Sequence, residues 1–338
     1  MQVSGPITSS LYELEGRTIL LLGDMHFSRS GDCAHAGTRG TDVVDWLHGA
    51  LQSGTPDSPV DLYLETKERS SSFVERFLAL LGLCSTPGHI HDVIDFFATQ
   101  RCLASVKRGC TRHYPHARVH YVDPRATRVS DLNRFVQSVQ PLVMMANAEL
   151  PNTRLSAIPA SPAVTAALRW IKKRPTAKNV VDAVRANFDA LKITKQLGAM
   201  DRADRTRLRA WFTSKAAELE RGASGVAYTH HAAAMLKAVS ARPFTTRDYT
   251  ALVSSGPHLF KYVLDATLLE MDMYALGRML RSFQGAPRPM RIILYAGDAH
   301  VQNYESGLAA LGATRIERGD QTHLRCTTLG QRTLKVFS

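Results

Sequence analysis

Two short stretches near opposite ends of the chain share a pattern of residues that can do chemistry. Gly23-Asp24-Met25-His26 and Gly297-Asp298-Ala299-His300 each place an acid two residues before a histidine. An acid at this spacing can orient the imidazole, fix its tautomer or share a metal ion with it. The candidate catalytic residues from these motifs are Asp24, His26, Asp298 and His300.

Further polar side chains follow two apolar runs of the chain. Glu65 comes directly after one run, and Asp123-Pro124-Arg125 comes directly after another. We add Glu65 and Arg125 to the catalytic candidates. We expect Asp123 to contact these residues and hold them in position. The sequence shows no serine or cysteine in a recognisable nucleophile turn, so a covalent route lacks support.

Two kinds of chemistry fit this set of side chains. In the first, His26, Glu65 and His300 bind a divalent metal ion that keeps one position open for water. In the second, the histidines and carboxylates act as general bases without a metal, and Arg125 stabilises an oxyanion. Either route ends in hydrolysis. The bland alternative is that these acids only start turns or cap helices.

The residues that precede these side chains predict strands of a parallel sheet. Each run is short, β-rich and apolar on both alternating faces, which is typical of strands buried on both sides. Because such strands end at one edge of a sheet, the candidates should meet there. The four runs are Thr18–Leu22, Val60–Leu64, Val119–Val122 and Arg291–Ala296. Helical patterns separate the first three, at Asp42–Leu51, Ser72–Leu83 and His91–Val106.

The fold class predicted is α/β, a mostly parallel central sheet flanked by helices, with a large all-helical insertion before the last core strand. We assign residues 1–129 plus 258–338 to the core and 130–257 to the insertion. A long amphipathic helix, Tyr262–Phe283, then carries Asp272 and Tyr274, which either support the site or face water. Short closing strands are expected at 314–317, 323–327 and 333–337, and helices of the insertion at Leu132–Met145, Pro162–Lys172, Asn179–Leu197, Arg202–Glu220 and Val226–Val239.

Positive charge is concentrated in one part of the chain. The formal net charge is +12, and residues 151–250 hold 18 basic but 7 acidic side chains. Such a patch favours nucleic acid or an acidic protein surface as a partner, although a solvated face is the plain alternative. The residues predicted to contact nucleic acid are Lys172, Lys173, Arg174, Arg202, Arg205 and Arg209.

The paired motifs resemble a superfamily that unites erythromycin-esterase-like, ChaN-like and TraB/Tiki proteins. Those chains are similar in having a strand with Gly-x-x-His at each end, matched here by Gly23–His26 and Gly297–His300. Glu65 matches their acid and Arg125 their arginine. The resemblance implies a flanked sheet with a helical insertion, and a metal-dependent peptidase, an esterase or a haem binder. The stretch from Asp298 to Tyr304 is also similar to uncharacterised proteins of large DNA viruses.

Three functions therefore compete. The first is an ester or peptide hydrolase, with or without a divalent metal. The second is a non-catalytic binding or structural protein whose basic insertion contacts nucleic acid or an acidic protein, inside a virion if the chain is viral. The third is a haem or metal carrier that uses His26 or His300 as axial ligand. Five cysteines without a CxxC pair, no apolar run of membrane-spanning length and no signal peptide favour an intracellular, cytoplasmic and reducing compartment.

Overall fold

The computed structural model describes residues 1–24, 40–65, 93, 114–122, 136, 155–283, 288–319, 321–323 and 326–338. The chain divides into two compact units. Unit 1 comprises Met1–Ala126, Lys195–Leu208 and Tyr274–Ser338, and unit 2 comprises Thr127–Thr194 and Arg209–Met273. These boundaries differ from the predicted division at 129/130 and 257/258, so the independence of the insertion as a domain stays a prediction.

The strands of the described residues all belong to unit 1. In chain order they are β1 (Gln2–Ser4), β2 (Thr8–Leu14), β3 (Arg17–Asp24), β4 (Thr41–Asp42), β5 (Val60–Leu64), β6 (Ala117–Tyr121), β7 (Arg291–Gly297), β8 (Thr314–Gly319), β9 (Gln321–His323) and β10 (Cys326–Thr328). Six of them form the central sheet in the order β6-β5-β7-β3-β2-β8. The first four of these run parallel, whereas β2 and β8 are antiparallel to their neighbours. The predicted α/β class is confirmed.

The centre of the sheet consists of the predicted apolar runs. In β3, Leu20 and Leu22 point to one face and Ile19 and Leu21 to the other, and all four are fully buried. A strand that is apolar on both faces is stable only between two covered surfaces, which explains why β3, β5 and β7 lie inside the sheet. This order brings strands from the two ends of the chain side by side.

Strand β2 was not predicted, because its Ser-Ser-Leu-Tyr-Glu sequence lacks a continuous apolar run. It pairs with β3 as a hairpin in which Leu14 lies opposite Arg17. The two residues of the turn, Glu15 and Gly16, both have positive φ, at 49° and 76°. Positive φ at both positions is what a two-residue hairpin turn requires, so the Glu-Gly dipeptide was the available signal.

Helices account for the rest of the described chain. In chain order they are α1 (Val43–Gln52), a 3-10 helix (Leu155–Ala160), α2 (Pro162–Lys173), α3 (Ala177–Ala190), α4 (Ile193–Gly198), α5 (Arg202–Arg221), α6 (Ala223–Ser240), α7 (Thr246–Leu280), α8 (Asp298–Ala310) and α9 (Gln331–Phe337). Between residues 155 and 283, a described stretch that includes most of the predicted insertion, the chain forms helices and no strand. The predicted helices Ser72–Leu83, His91–Val106 and Leu132–Met145 lie outside the described residues, apart from single positions.

Helix α1 covers one face of the sheet in unit 1. Asp42 caps it by accepting a hydrogen bond from the Val44 amide at 2.8 Å. Its inner side chains join the cluster of Leu20, Leu62 and Ile293, and the Trp46 ring meets Phe337 of α9 edge-on at 6.4 Å. The predicted helix at Asp42–Leu51 is therefore confirmed, with Asp42 as its cap.

The helices of unit 2 pack through apolar stripes closed by hydrogen bonds. On α3, Val180, Val181 and Val184 are fully buried. Tyr228 of α6 donates to the Arg174 carbonyl at 2.7 Å, and Tyr262 of α7 donates to the Leu219 carbonyl at 3.1 Å. Each of these two hydroxyls thus has a partner, as a closely packed helical unit requires.

Two predicted helices have different limits in the structure. The single helix predicted over Asn179–Leu197 is interrupted at Lys192, whose φ is 60°, so α3 and α4 are separate. Helix α7 begins at Thr246 instead of Tyr262. Its start is set by a reciprocal pair, in which Asp248 accepts from the Thr245 amide and hydroxyl while Thr245 accepts from the Asp248 amide. Pro257 therefore lies inside the helix instead of before it.

The predicted closing strand at 333–337 is wrong. These residues belong to α9, whose first turn is held by the Glu317 carboxylate. Glu317 accepts from the Arg332 amide at 3.1 Å and from the Thr333 hydroxyl at 2.8 Å. A distant acid thus satisfies the helix start, which a local pattern of alternating side chains does not reveal.

The state of Cys326 bears on the compartment expected from the sequence. Cys326, in β10, is disulfide-bonded, and the other four cysteines lie outside the described residues. A disulfide is not what a reducing compartment favours, so the intracellular location stays a prediction. Among the described residues, no helix combines the length and the apolar character needed to cross a bilayer.

Candidate functional site

Three neighbouring parallel strands bring the predicted acids and one histidine to the same edge of the sheet. β3 pairs with β7 in a register that sets Asp24 opposite Gly297. β5 lies on the other side of β7, and the Glu65 amide donates to the Tyr295 carbonyl at 3.3 Å. The strand ends that carry Asp24, Glu65 and Asp298 are therefore adjacent. We call Asp24, Glu65, Asp298 and His300 the strand-end cluster.

Glu65 is held between the end of β7 and the first turn of α8. Its Oε2 atom accepts a short hydrogen bond from the Gly297 amide. Its Oε1 atom lies 3.4 Å from Nε2 of His300, which is longer than a typical N–H···O bond. Gly297 is the N-cap of α8, so the positive end of that helix also stabilises the negative charge on Glu65.

His300 is buried in the first turn of α8, with 3% of its surface exposed. Its ring stacks on Tyr304 one turn later, with the centroids 6.0 Å apart and the planes 17° apart. The imidazole therefore has a fixed plane and presents Nε2 to Glu65. A carboxylate in that position favours the tautomer that carries its proton on Nε2 and leaves Nδ1 as the acceptor.

Asp298 is fixed by two side chains on either side of it. The Thr8 hydroxyl of β2 donates to its Oδ1 atom at 2.6 Å, and the Gln302 amide donates to Oδ2 at 2.8 Å. Thr8 and Gln302 were not predicted. Gln302 follows Asp298 by one helical turn, so the Asp-x-x-x-Gln spacing was a signal, whereas nothing local points to Thr8.

Gly23 leaves room for the hydrogen bond between Thr8 and Asp298. A Cβ atom on Gly23 would lie 2.3 Å from Thr8 Oγ1 and 2.6 Å from Asp298 Oδ1. Gly297 has φ −60° and ψ 143°, an ordinary extended conformation. Close packing is therefore what requires a glycine at position 23.

Several predicted site residues lie outside the described part of the chain. They are His26, Arg125 and Asp123. Asp24 is described and has 1% of its surface exposed at the end of β3. The structure thus brings together four of the six catalytic candidates, and the expectation that both histidines share one site stays a prediction.

Two acids of the long helix α7 do not face water. Asp272 and Glu270 are fully buried in unit 2, and Glu270 accepts a hydrogen bond from Asn187 at 2.7 Å. Tyr274 is half-buried in unit 1. The alternative of a solvated acidic face is therefore wrong for Asp272, whereas its supporting role at the site stays a prediction.

The residues that the structure describes do not form a complete metal-binding site. They contain no group of three or more His, Cys, Asp or Glu side chains able to hold one. Glu65 and His300 supply two donors, and the predicted third, His26, lies outside them. We therefore derive no step through a metal, and both the divalent ion and haem stay predictions.

The predicted basic contacts are mostly at the surface. Lys172 and Lys173 at the end of α2 are exposed, and the Arg174 guanidinium carbon lies 4.8 Å from the centroid of the Trp170 ring. Arg202 and Arg209 on α5 are exposed and Arg205 is half-buried.

Asp204 of α5 offsets the arginines of that helix only in part. Asp204 is fully buried, 3.6 Å from the buried Arg17 and 3.9 Å from Arg207. Burial raises the pKa of Asp204, and nearby Glu15 raises it further, while Arg17 opposes both. Arg202 and Arg205 therefore stand at the surface without Asp204 beside them.

A polar group inside the sheet was missed altogether. Asp61 of β5 is fully buried and accepts hydrogen bonds from Arg118 and His120 of the neighbouring strand β6. Both strands were recognised from their apolar residues, and their alternate polar positions were the available signal.

No family model matches the chain, and no curated protein or solved structure matches it. The resemblance drawn from the two Gly-x-x-His motifs therefore stays a prediction.

Proposed function

We propose that the strand-end cluster activates a water molecule and that the protein hydrolyses an ester or peptide bond. The observation that carries this proposal is the pairing of Glu65 with His300 at the end of three adjacent parallel strands. This is the edge at which open parallel sheets bind ligands. A buried acid that faces an imidazole is the arrangement that general-base catalysis uses.

The steps of the proposed reaction depend on these contacts. Glu65 orients His300 and holds a proton on Nε2, so Nδ1 accepts a proton from water as the water attacks the carbonyl carbon. The imidazolium that forms is stabilised by Glu65, which its bond to the Gly297 amide keeps in place. His300 then returns the proton to the leaving oxygen or nitrogen, which completes hydrolysis.

The remaining acids have positioning roles in this proposal. Asp298 is locked by Thr8 and Gln302, so its carboxylate fixes the first turn of α8 and with it the position of His300. Asp24 adds negative charge at the end of β3, one strand away.

The proposal is tested by hydrolysis assays with a panel of 4-nitrophenyl esters and fluorogenic peptides. Glu65→Gln and His300→Gln should each lower kcat/KM about 100-fold or more, because each removes the base or its orienting charge. His258→Gln is the matched control, since that ring lies in unit 2 and the strand-end cluster lies in unit 1. Turnover that is unchanged in both site variants, or absent in the unaltered protein throughout the panel, would refute the proposal.

A second candidate function rests on the basic surface of α5. Arg202 is exposed and Arg205 is partly exposed, whereas Asp204, which lies between them in the sequence, is buried. We propose that these two arginines bind the phosphates of nucleic acid without reading its sequence. The exposed Lys172 and Lys173 of α2, in unit 2, are separate candidates for contacts of the same kind.

Salt dependence tests this second proposal. Binding of a fluorescent duplex DNA should weaken between about 50 and 200 mM salt. The slope of log affinity against log salt concentration should be roughly proportional to the number of phosphates contacted. Reversal of both arginines, Arg202→Glu with Arg205→Glu, should reduce affinity at every salt concentration. Arg288→Glu serves as the control. Binding that is independent of salt would contradict the proposal.

A further inference from the structure

Strands β5 and β6 present polar side chains to one face of the sheet in unit 1. Asp61 lies opposite Arg118 and Tyr63 opposite His120, so these four side chains share one face. The side chains between them, including Leu62 and Val119, belong to the apolar cluster on the other face. The polar face therefore departs from an otherwise apolar sheet.

One carboxylate holds this group together. Arg118 donates to Asp61 through Nε at 2.6 Å and through Nη2 at 2.5 Å, and His120 Nε2 lies 2.7 Å from the same carboxylate. The His120 ring stacks between Tyr63, at 4.5 Å, and Phe283, at 5.3 Å. Both Asp61 oxygens are thus already used by these two neighbours.

Two more arginines lie beside this group, and neither pairs with a carboxylate among the described residues. Arg278 has 8% of its surface exposed and Arg281 is half-buried, and the Nε atoms of both are buried without a hydrogen-bond partner. The hydroxyl of Tyr63 lies 3.5 Å from the Arg278 carbonyl, which fixes the end of α7 against β5. Within the described part of the chain, no carboxylate pairs with either guanidinium.

One ring lies close to two of the three guanidinium groups. The Phe283 centroid lies 4.3 Å from the guanidinium carbon of Arg281 and 5.4 Å from that of Arg118. We call Arg118, Arg278 and Arg281 the arginine cluster.

Among the residues that the structure describes, the charge of this group is not balanced. Three guanidinium ions face one carboxylate, and His120 adds no positive charge at neutral pH. Burial lowers the pKa of His120, and Arg278 and Arg118 lower it further against the opposing effect of Asp61. Burial and the charge of Arg278 likewise lower the pKa of Arg281. The carbonyl end of α7 supplies only about half a negative charge.

We propose that the arginine cluster binds a phosphate group, either free inorganic phosphate or a small phosphate monoester. Two negative charges on tetrahedral oxygens cancel the excess, and guanidinium groups bind such oxygens with paired hydrogen bonds. The partner is small, because a side chain as buried as Arg278 cannot meet a macromolecular surface. The proposal is independent of the hydrolytic function, since it uses none of the residues of the strand-end cluster.

The test measures the melting temperature of the full chain in inorganic phosphate against sodium chloride of equal ionic strength. Phosphate should raise the melting temperature of the unaltered protein, and titration calorimetry should give its affinity. Arg281→Gln should weaken that affinity about 10- to 100-fold, because it removes a charged hydrogen-bond donor. Arg288→Gln is the matched control, since Arg288 is exposed and pairs with Glu15, and its phosphate response should be unchanged.

A second variant separates binding from folding. Arg278→Met should abolish the phosphate response and also raise the melting temperature without phosphate, because no described carboxylate pairs with this buried guanidinium. Phenyl phosphate that binds tighter than inorganic phosphate would identify a monoester as the ligand, and weaker binding would identify free phosphate. A phosphate response absent from the unaltered protein, or undiminished in Arg281→Gln, would overturn the proposal. Glu65→Gln should keep the response.

Discussion

Replacement of Gly23 by alanine is the sharpest structural perturbation of the strand-end cluster. The new Cβ would lie 2.3 Å from Thr8 Oγ1 and 2.6 Å from Asp298 Oδ1, whereas ordinary contacts begin near 3.4 Å. Both oxygens must therefore move by about 1 Å, which breaks their 2.6 Å hydrogen bond. Gly23→Ala should thus disturb the site and the stability of unit 1 together.

The expected cost is the sum of three contributions. Crowding in a packed site costs about 1–3 kcal/mol. Loss of a hydrogen bond to a charged group costs about 1.5–3 kcal/mol. The lower chain entropy of alanine in the unfolded state returns about 0.4–1 kcal/mol. We therefore expect Gly23→Ala to lower the free energy of unfolding by about 1.5–5.5 kcal/mol.

Urea unfolding followed by circular dichroism measures this cost. Gly49→Ala is the matched control, since no atom lies within 4 Å of its new Cβ inside α1, and it should stabilise the protein by about 0.5–1 kcal/mol. In a Thr8→Ala background, Gly23→Ala should cost at least about 1 kcal/mol less, because Oγ1 is gone. If Gly23→Ala is tolerated as well as Gly49→Ala, the described packing is wrong.

Two further predictions concern buried and titrating groups elsewhere. Asp204→Ala should lower the free energy of unfolding by about 3–5 kcal/mol, because Arg17 is left as a buried charge that has lost this carboxylate. The double variant Arg17→Met with Asp204→Leu should recover most of that loss of stability. A thermal melt in which the double variant is less stable than Asp204→Ala would contradict this reasoning. Burial lowers the pKa of His231, and His258, stacked on it at 4.0 Å, lowers it further. As the pH falls, the unfolded state therefore binds a proton at this histidine before the folded state does. The free energy of unfolding should decrease as the pH drops below about 6.5. His258→Gln should make that fall shallower in urea unfolding series from about pH 7 to pH 5, and an unchanged slope would refute the electrostatic reason.

The sequence predicts the parts of the fold that depend on local pattern. Largely apolar runs identified β3, β5, β6 and β7, because a strand buried on both faces needs apolar residues at most of its positions. The side chains that come directly after those runs identified Glu65, Asp298 and His300. Their adjacency required only that the strands be parallel neighbours, which the register of β3, β7 and β5 now gives.

The features that the sequence did not predict depend on contacts between distant residues. Helix α9 starts where it does because Glu317 satisfies its first turn, and Thr8 fixes Asp298 from another strand. Asp61 and His120 lie within the apolar runs that predict β5 and β6, and nothing along the chain shows that their side chains meet across two strands. Each of these features is set by pairing at long range, where local propensity is silent.

The most direct test of the proposed site is whether Glu65 and His300 act as one unit. We would measure kcat/KM for the best ester or peptide substrate in the unaltered protein, Glu65→Gln, His300→Gln and the double variant. If Glu65 works by orienting His300, the double variant should be no slower than the slower single variant. Losses that multiply in the double variant would show that the two residues act separately and would contradict the account.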